Sequence, residues 1–198
     1  MWDDLATTLT GERVVLEPVR AEHANRLRVA AADARVSTWL PLKLHEPQGF
    51  DAWLADAIEA RAARRDVAFA TVARADGRML GSTRFMELRP EHRSVEIGWT
   101  WLAPEAWRTG ANVEAKLLML RQAFEVAGCI RVELKTDARN ERSRHAMAAL
   151  PARFEGVHRQ HRVLPDGTLR DSAWFSVIDR DWRDVRANLV RRLAALSS

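Results

Sequence analysis

The sequence predicts an α/β fold on one mixed sheet, mostly antiparallel with a single parallel pair, and three observations carry that prediction. Ala75-Asp76-Gly77-Arg78 and Pro165-Asp166-Gly167 each lie between two runs of strand character, where Asp-Gly marks an antiparallel hairpin. The stretch Trp99 to Leu120, WTWLAPEAWRTGANVEAKLLML, passes from a strand through a turn into a helix. That helix separates the strand ending at Leu102 from one beginning at Ile130, and helical crossovers join parallel neighbours. A chain of 198 residues has room for a sizeable core, and without linkers, repeats or low-complexity tracts residues 1–198 read as a single domain.

Arg13 to Val19, RVVLEPV, is the first expected strand, and Ala21 to Ala32 follows as a helix with Ala24, Leu27 and Ala31 on one face. Asp33 to Pro47 has no period; its Trp39, Leu40 and Leu42 around Pro41 suit the wall of a pocket. Gly49 to Arg65 is the second helix, with Phe50, Trp53 or Leu54, Ala57 and Ile58 on its apolar side and Arg61, Arg64 and Arg65 facing the negative end of its dipole. Val67 to Arg74 and Met79 to Met86 alternate around the first Asp-Gly turn, and Arg89-Pro90-Glu91-His92 turns the chain into the strand Ser94 to Leu102. Val113, Leu117, Leu120 and Phe124 set the period of a helix that starts near Asn112 and ends near Gly128. Ile130 to Thr136 is a strand, Glu141 to Leu150 a helix, Arg153 to Val163 and Thr168 to Ile178 a second hairpin, and Asp181 to Leu196 a closing amphipathic helix.

Composition narrows the function classes. No apolar run approaches the ~20 residues needed to span a bilayer, and MWDDLATTLTGERVV is acidic where an export signal is basic, so a soluble cytoplasmic protein without membrane contact is expected. Cys129 is the only cysteine, which excludes an internal disulfide and a thiolate-rich metal site. A net charge of +4 argues weakly for nucleic acid, and no reader motif or aromatic RNA platform supports it. His158 and His161 stand three apart on a strand, which places them on opposite sides, and no third ligand accompanies them, so no metal is expected. The chain has no tyrosine, so none serves as a general acid.

Arg108-Thr109-Gly110-Ala111-Asn112 is small or polar throughout and opens a helix. A helix N-terminus presents unpaired N–H groups and about half a positive charge, and Arg108 adds a full one. Gly110 allows a sharp turn, and a Cβ there is expected to push phosphates from the backbone. A pyrophosphate fits this cradle; a capped turn that binds nothing fits the same residues.

The element order, with this turn between the fourth strand and its helix, resembles the GNAT superfamily of acyl-CoA N-acyltransferases over nearly the whole chain. GERVVLEPVRAEHA, VEIGWTWLAPEAW, RTGANVEAKLLMLRQAFE, RVELKTDARNERS and LPDGTLRDSAWFSV resemble its RimJ/RimL-like branch, which acetylates protein N-termini and related amines. The resemblance implies acetyl-CoA as acyl donor, an amine acceptor that is a protein N-terminus or a small molecule, and, with the exposed tryptophan candidates, a homodimer. The superfamily signature Gln/Arg-x-x-Gly-x-Gly/Ala stands here as Trp107-Arg108-Thr109-Gly110-Ala111-Asn112, in which only Gly110 matches strictly. By that resemblance Trp101, Leu102, Trp107, Arg108, Thr109, Gly110, Ala111, Asn112, Val113, Asn140 and Ser143 bind the cofactor. Pro151 stands where similar proteins carry a glycine that ends the helix in a left-handed turn; proline is not expected to take positive φ, so the helix should end early.

Acetyl transfer to an amine needs a thioester held still, a base for the ammonium proton and a donor to the leaving sulfur. Glu96 falls where the family often places its base, and it also reads as an ion-paired strand residue. The alternation Val95, Ile97, Trp99 against Glu96, Gly98, Thr100 gives it one definite face. Near Gly98 the resemblance implies that the fourth and fifth strands splay, freeing backbone N–H groups for the thioester and pantetheine. In Asn140-x-x-Ser143, the Ser143 hydroxyl is the candidate donor to sulfur; equally, Asn140 caps the helix and Ser143 faces its first-turn amides. Trp99, Trp101 and Trp107 are pocket walls or core, with at least one simply buried, and Arg139, Arg142 and Arg144 meet a 3′-phosphate or stay solvated. Two rival classes are an acyl-CoA-binding regulatory module without turnover and a basic nucleic-acid-associated protein.

Overall fold

The computed structural model describes residues 1–196. Its strands are β1 (Leu9–Thr10), β2 (Val14–Pro18), β3 (Val67–Ala73), β4 (Met79–Arg89), β5 (Ser94–Leu102), β6 (Arg131–Asp137), β7 (Arg153–Val163) and β8 (Leu169–Ile178). They form one eight-stranded sheet in the order β1-β2-β3-β4-β5-β6-β8-β7. Every neighbouring pair is antiparallel except β5 and β6, which run parallel across the helical crossover, as the sequence predicts. The helices are α1 (Trp2–Leu5), α2 (Ala24–Ala30), α3 (Pro47–Ala62), α4 (Ala111–Arg121), α5 (Glu141–Ala149) and α6 (Trp182–Ala194). α1 and β1 were not foreseen, being too short to show a period, so the expected fourth and fifth strands are β5 and β6. The helix expected from Ala21 starts as a 3-10 turn, Ala21–His23, and α3 begins earlier than expected, with Pro47 in its first turn where no N–H partner is needed.

The sheet has a core on each face. On one, Leu16, Phe69, Phe85, Val95 and Ile97 pack against Met119 and Leu120 of α4 and Leu189 of α6. On the other, Ala68, Ala70 and Trp101 pack against Leu27 of α2 and Phe50 and Trp53 of α3. No helix among the described residues is long and apolar enough to cross a membrane.

Two local irregularities of β5 shape the site. Against β4, the strand β5 takes three steps from Gly98 to Trp101 where its partner takes two from Arg84 to Ser82, and Trp99 sits at φ 47°. This bulge bends β5 and turns Trp99 to the face of Trp101, so the expected grouping of Trp99 with Val95 and Ile97 is corrected. Pairing between β5 and β6 is confined to Ser94–Arg131, Val95–Val132 and Glu96–Glu133, and beyond Glu96 the strands part.

The close of α5 also departs from expectation. The helix ends at Ala149, one residue early, yet Pro151 takes φ 25° and the Ala152 N–H reaches the Met147 carbonyl at 3.1 Å. The chain thus keeps the long bond of a left-handed helix close, while proline cannot supply the N–H of the shorter one. In β7 the chain takes four steps from His158 to Arg162 against two on β8, with Gln160 at φ 49°. His158 and His161 therefore share a face, their ring centroids 6.0 Å apart, which corrects the opposite-side expectation. Among the described residues no group of three or more metal-binding side chains forms around them.

Candidate active site

Where β5 and β6 part, a cavity of about 810 Å³ opens. Glu96, Gly98, Thr100 and Leu102 line it from β5, Leu134 and Lys135 from β6, and Trp107, Arg108, Gly110, Asn112, Val113 and Lys116 from the turn and α4. Asn140 and Ser143 close it from the start of α5.

The turn into α4 is held by its own side chains. Arg108 and Gly110 take φ 63° and 90°, and the first helical bond runs from the Glu114 N–H to the Gly110 carbonyl at 2.9 Å. The N–H groups of Asn112 and Val113 lie ahead of that bond, at the positive end of the helix. Trp107 Nε1 donates to the Leu102 carbonyl at 2.8 Å, tying the turn back to the end of β5. The Thr109 hydroxyl donates to the Ala106 carbonyl at 2.8 Å and accepts from the Ala111 N–H at 3.4 Å. Thr109 and Ala111 line a second hollow behind the turn, beside Arg13, so any part they take in the cradle is through the backbone, as the sequence leads one to expect. Gly110 takes the sharp turn the sequence expects of it, and packing adds a second reason for glycine. A Cβ there would meet Leu196 Cδ1 at 3.1 Å and Arg13 Cδ at 3.5 Å, and its φ suits glycine.

The cradle fits an anionic, polar ligand. Arg108 supplies a charge for the anion, and among the described residues Asn112 Oδ1 is buried without a hydrogen-bond partner, so an N–H or O–H donor on the uncharged part of a ligand entering the cavity would relieve it. Glu114 fixes the helix against the sheet by accepting the N–H groups of Glu12, Arg13 and Val14 at 3.0, 2.7 and 2.7 Å.

At the other end of the cavity Glu96 is 1% exposed, and its Oε2 lies 2.6 Å from Lys135 Nζ. Burial pushes its carboxyl above the usual range, and the ammonium of Lys135 opposes that rise. The ion-paired reading of Glu96 thus holds, and the same carboxylate faces the cavity. Gly98 makes room for it: a Cβ would stand 2.7 Å from Met86 Sδ and 3.0 Å from Glu96 Oε1. Asn140 Oδ1 accepts the Ser143 N–H at 3.1 Å, so the cap reading of that pair also holds, with Ser143 on the cavity wall.

Residues 13–152 match the model of the acetyltransferase (GNAT) domain. The chain belongs to this family. A GCN5-related N-acetyltransferase from Brucella melitensis superposes on it with a TM-score of 0.86 at 31% identity, over 94% of this chain and 85% of that one. A candidate acetyltransferase from T. thermophilus does so at 0.83 and 36%, over 94% and 96%. The ribosomal-protein-S5-alanine acetyltransferase from Vibrio fischeri shares the fold at 0.71, with 19% identity over 89% and 98% of the two chains. No curated protein matched the sequence.

GNAT acetyltransferases use acetyl-CoA or another acyl-CoA, and the geometry sorts the residues expected to meet it in this GNAT domain. Leu102, Trp107, Arg108, Gly110, Asn112, Val113, Asn140 and Ser143 line one cavity together. Trp101 reaches its edge but is core: 3% exposed, it packs edge-on against Trp53 at 5.4 Å. The guanidinium groups of Arg35 and Arg142 lie 5.5 and 4.4 Å from the centre of the Trp107 ring. Of the three arginines considered for a 3′-phosphate, Arg142 lines the cavity, Arg139 is paired with Asp137 at 2.8 Å, and Arg144 donates to the Ala138 carbonyl.

Of the basic residues that line the cavity, the sequence offers Arg162 as a border of the acceptor site or a solvated hairpin residue, while Lys116, Lys135, Arg170 and Arg192 were not singled out. Lys116 Nζ is buried and donates to the hydroxyls of Thr100 at 2.7 Å and Thr83 at 3.1 Å, and burial brings its pKa down to about 7. Its signal was local, since it follows Val113 by three positions and Asn112 by four, on the face of α4 above the cradle. Lys135 was legible only as a cation alternating with Glu133 and Arg131; its pairing with Glu96 spans the sheet.

Proposed function

We propose that the protein is an acetyl-CoA-dependent N-acetyltransferase that passes the acetyl group directly to a primary amine in a ternary complex. The observation that carries this reading is the parting of β5 and β6 beyond Glu96, with an anion cradle at one end of the resulting cavity and a buried carboxylate at the other. Acetyl-CoA supplies an activated thioester, so no covalent enzyme intermediate is needed. Arg108 and the N–H groups of Asn112 and Val113 hold the pyrophosphate, and Asn140 positions the pantetheine arm. Glu96, kept ionised in part by Lys135, takes the proton from the acceptor ammonium, and the Ser143 hydroxyl donates to the departing sulfur. The acceptor is a protein N-terminus or a small-molecule amine. Among the described residues the outer strand β7 has no further strand beside it and exposes Phe154, Val157 and Val163, which supports a homodimer that sedimentation tests.

Calorimetric titration with acetyl-CoA tests the cradle: tight binding in the wild type and its loss in Arg108→Glu and Gly110→Asp are expected. Arg108 is exposed, so its variant separates a charge effect from misfolding. Glu96→Gln is expected to lower turnover by about 10²- to 10⁴-fold with acetyl-CoA affinity within about twofold. Undiminished turnover would remove the base assignment, and acetyl-CoA binding without transfer to any amine would favour the regulatory module.

A further inference from the structure

The end of the cavity that holds Glu96 is bounded by the β7–β8 hairpin, and that wall is cationic. Arg162 and Arg170 both line the cavity and stand directly opposite each other in the antiparallel register of β7 and β8. Directly opposed residues project on one face of a sheet, and like charges there repel. Neither guanidinium makes an ion pair among the described residues, and Arg170 Nε is shut off from solvent without any hydrogen-bond partner.

The carboxylates nearby are already engaged. Glu96 holds Lys135 at 2.6 Å, Asp137 holds Arg139 at 2.8 Å, and Asp171 accepts the Gln160 N–H at 2.7 Å. Two opposed guanidinium groups, one partly buried with an orphaned N–H, cost stability unless something negative bridges them. Planar guanidinium forks match the oxygens of a carboxylate or a phosphate.

We propose that the acceptor amine carries an oxyanion of its own, and that Arg162 and Arg170 bind that oxyanion while the amine lies toward Glu96. This inference rests on reading the cavity as the acceptor end of an acetyltransferase, and it narrows the acceptor to amines bearing a carboxylate or a phosphate. Polycationic amines are disfavoured by the same wall, because the guanidinium groups of Arg162 and Arg170 repel them.

The test uses matched amines with the full chain. L-alanine against L-alaninamide probes a carboxylate, glucosamine 6-phosphate against glucosamine probes a phosphate, and spermidine probes added positive charge. Turnover is followed as thiol release from acetyl-CoA, and binding of the same amines to the CoA-loaded protein is followed by calorimetry. In at least one pair the anionic member is expected to lead by roughly 10- to 100-fold in kcat/KM and in affinity, and the pair that shows the gap names the oxyanion.

Arg170→Gln, and separately Arg162→Gln on the exposed strand, should shrink that gap at least about fivefold, mainly through KM. Arg121→Gln removes the same charge from the exposed far side of α4, where Arg121 pairs with Glu125, and should leave the gap intact. A neutral amine or spermidine used as well as the anionic ones, a gap that survives both substitutions, or no binding by either anionic probe would each overturn the proposal. Absent acetyl-CoA binding with the anion preference intact would overturn the acetyltransferase reading alone.

Discussion

Glu114 and Lys116 stand two positions apart on α4, both buried, and the protein treats their charges in opposite ways. Glu114 is wrapped by three backbone N–H donors, and Gly11 is a glycine because a Cβ there would lie 2.5 Å from the Glu114 carboxyl carbon. Glu114→Ala leaves those donors without their partner and is expected to cost at least ~3 kcal/mol in denaturant unfolding, together with weaker acetyl-CoA binding as the cradle loses its anchor. Lys116, among the described residues, has hydroxyl partners alone. The folded protein releases its proton near pH 7 while the unfolded chain keeps it to the ordinary 10.5, so the unfolded state binds more protons between those values. Stability contributed through this residue therefore rises with pH across that window and is lowest below it. Lys116→Met is expected to flatten that slope, which urea unfolding at about pH 7 and about pH 10 reads directly.

At the scale of elements, α5 carries a built-in conflict. Its left-handed close places proline at φ 25°, far from the ring's preferred value, and forgoes one carbonyl's partner. Pro151→Gly should relieve both and raise stability by about 1 kcal/mol, seen as a higher Tm, although glycine also loosens the unfolded chain. The contrast shows what sequence reading reaches. Both Asp-Gly hairpins, the crossover after Leu102 and the turn at Arg108 to Val113 that opens α4 are encoded within a few neighbouring residues, and each is present in the fold. The bulge at Trp99 depends on how many residues β4 offers opposite it, and the looping of β7 that unites His158 with His161 depends on β8. Thr109 and Ala111 were assigned to the right turn, but which side of it they face is set by packing against the first strands. The pairing of Glu96 with Lys135 and the opposition of Arg162 to Arg170 exist only once the sheet is assembled.

For the whole molecule, the first and last segments are stitched into the centre. Gln122 donates to the Asp4 carbonyl at 2.6 Å, and Trp182 Nε1 donates to Glu125 at 2.9 Å, so α1 and α6 both meet the π-helical turn that continues α4. Reading residues 1–198 as one domain therefore predicts a single unfolding transition, with tryptophan fluorescence and far-ultraviolet circular dichroism coincident; separated transitions would divide the chain into more than one unit.

The parting of β5 and β6 has a further consequence for how the protein behaves among other chains. Two runs of unsatisfied strand edge at a sheet's periphery would invite another polypeptide to add itself and seed aggregation. Here they lie in the middle of the sheet and border a cavity lined by residues of α4 and α5, away from the outer edge where a neighbour's strand would add itself. The same opening that equips the molecule for a ligand is thereby kept off the surface on which sheets of separate chains would join.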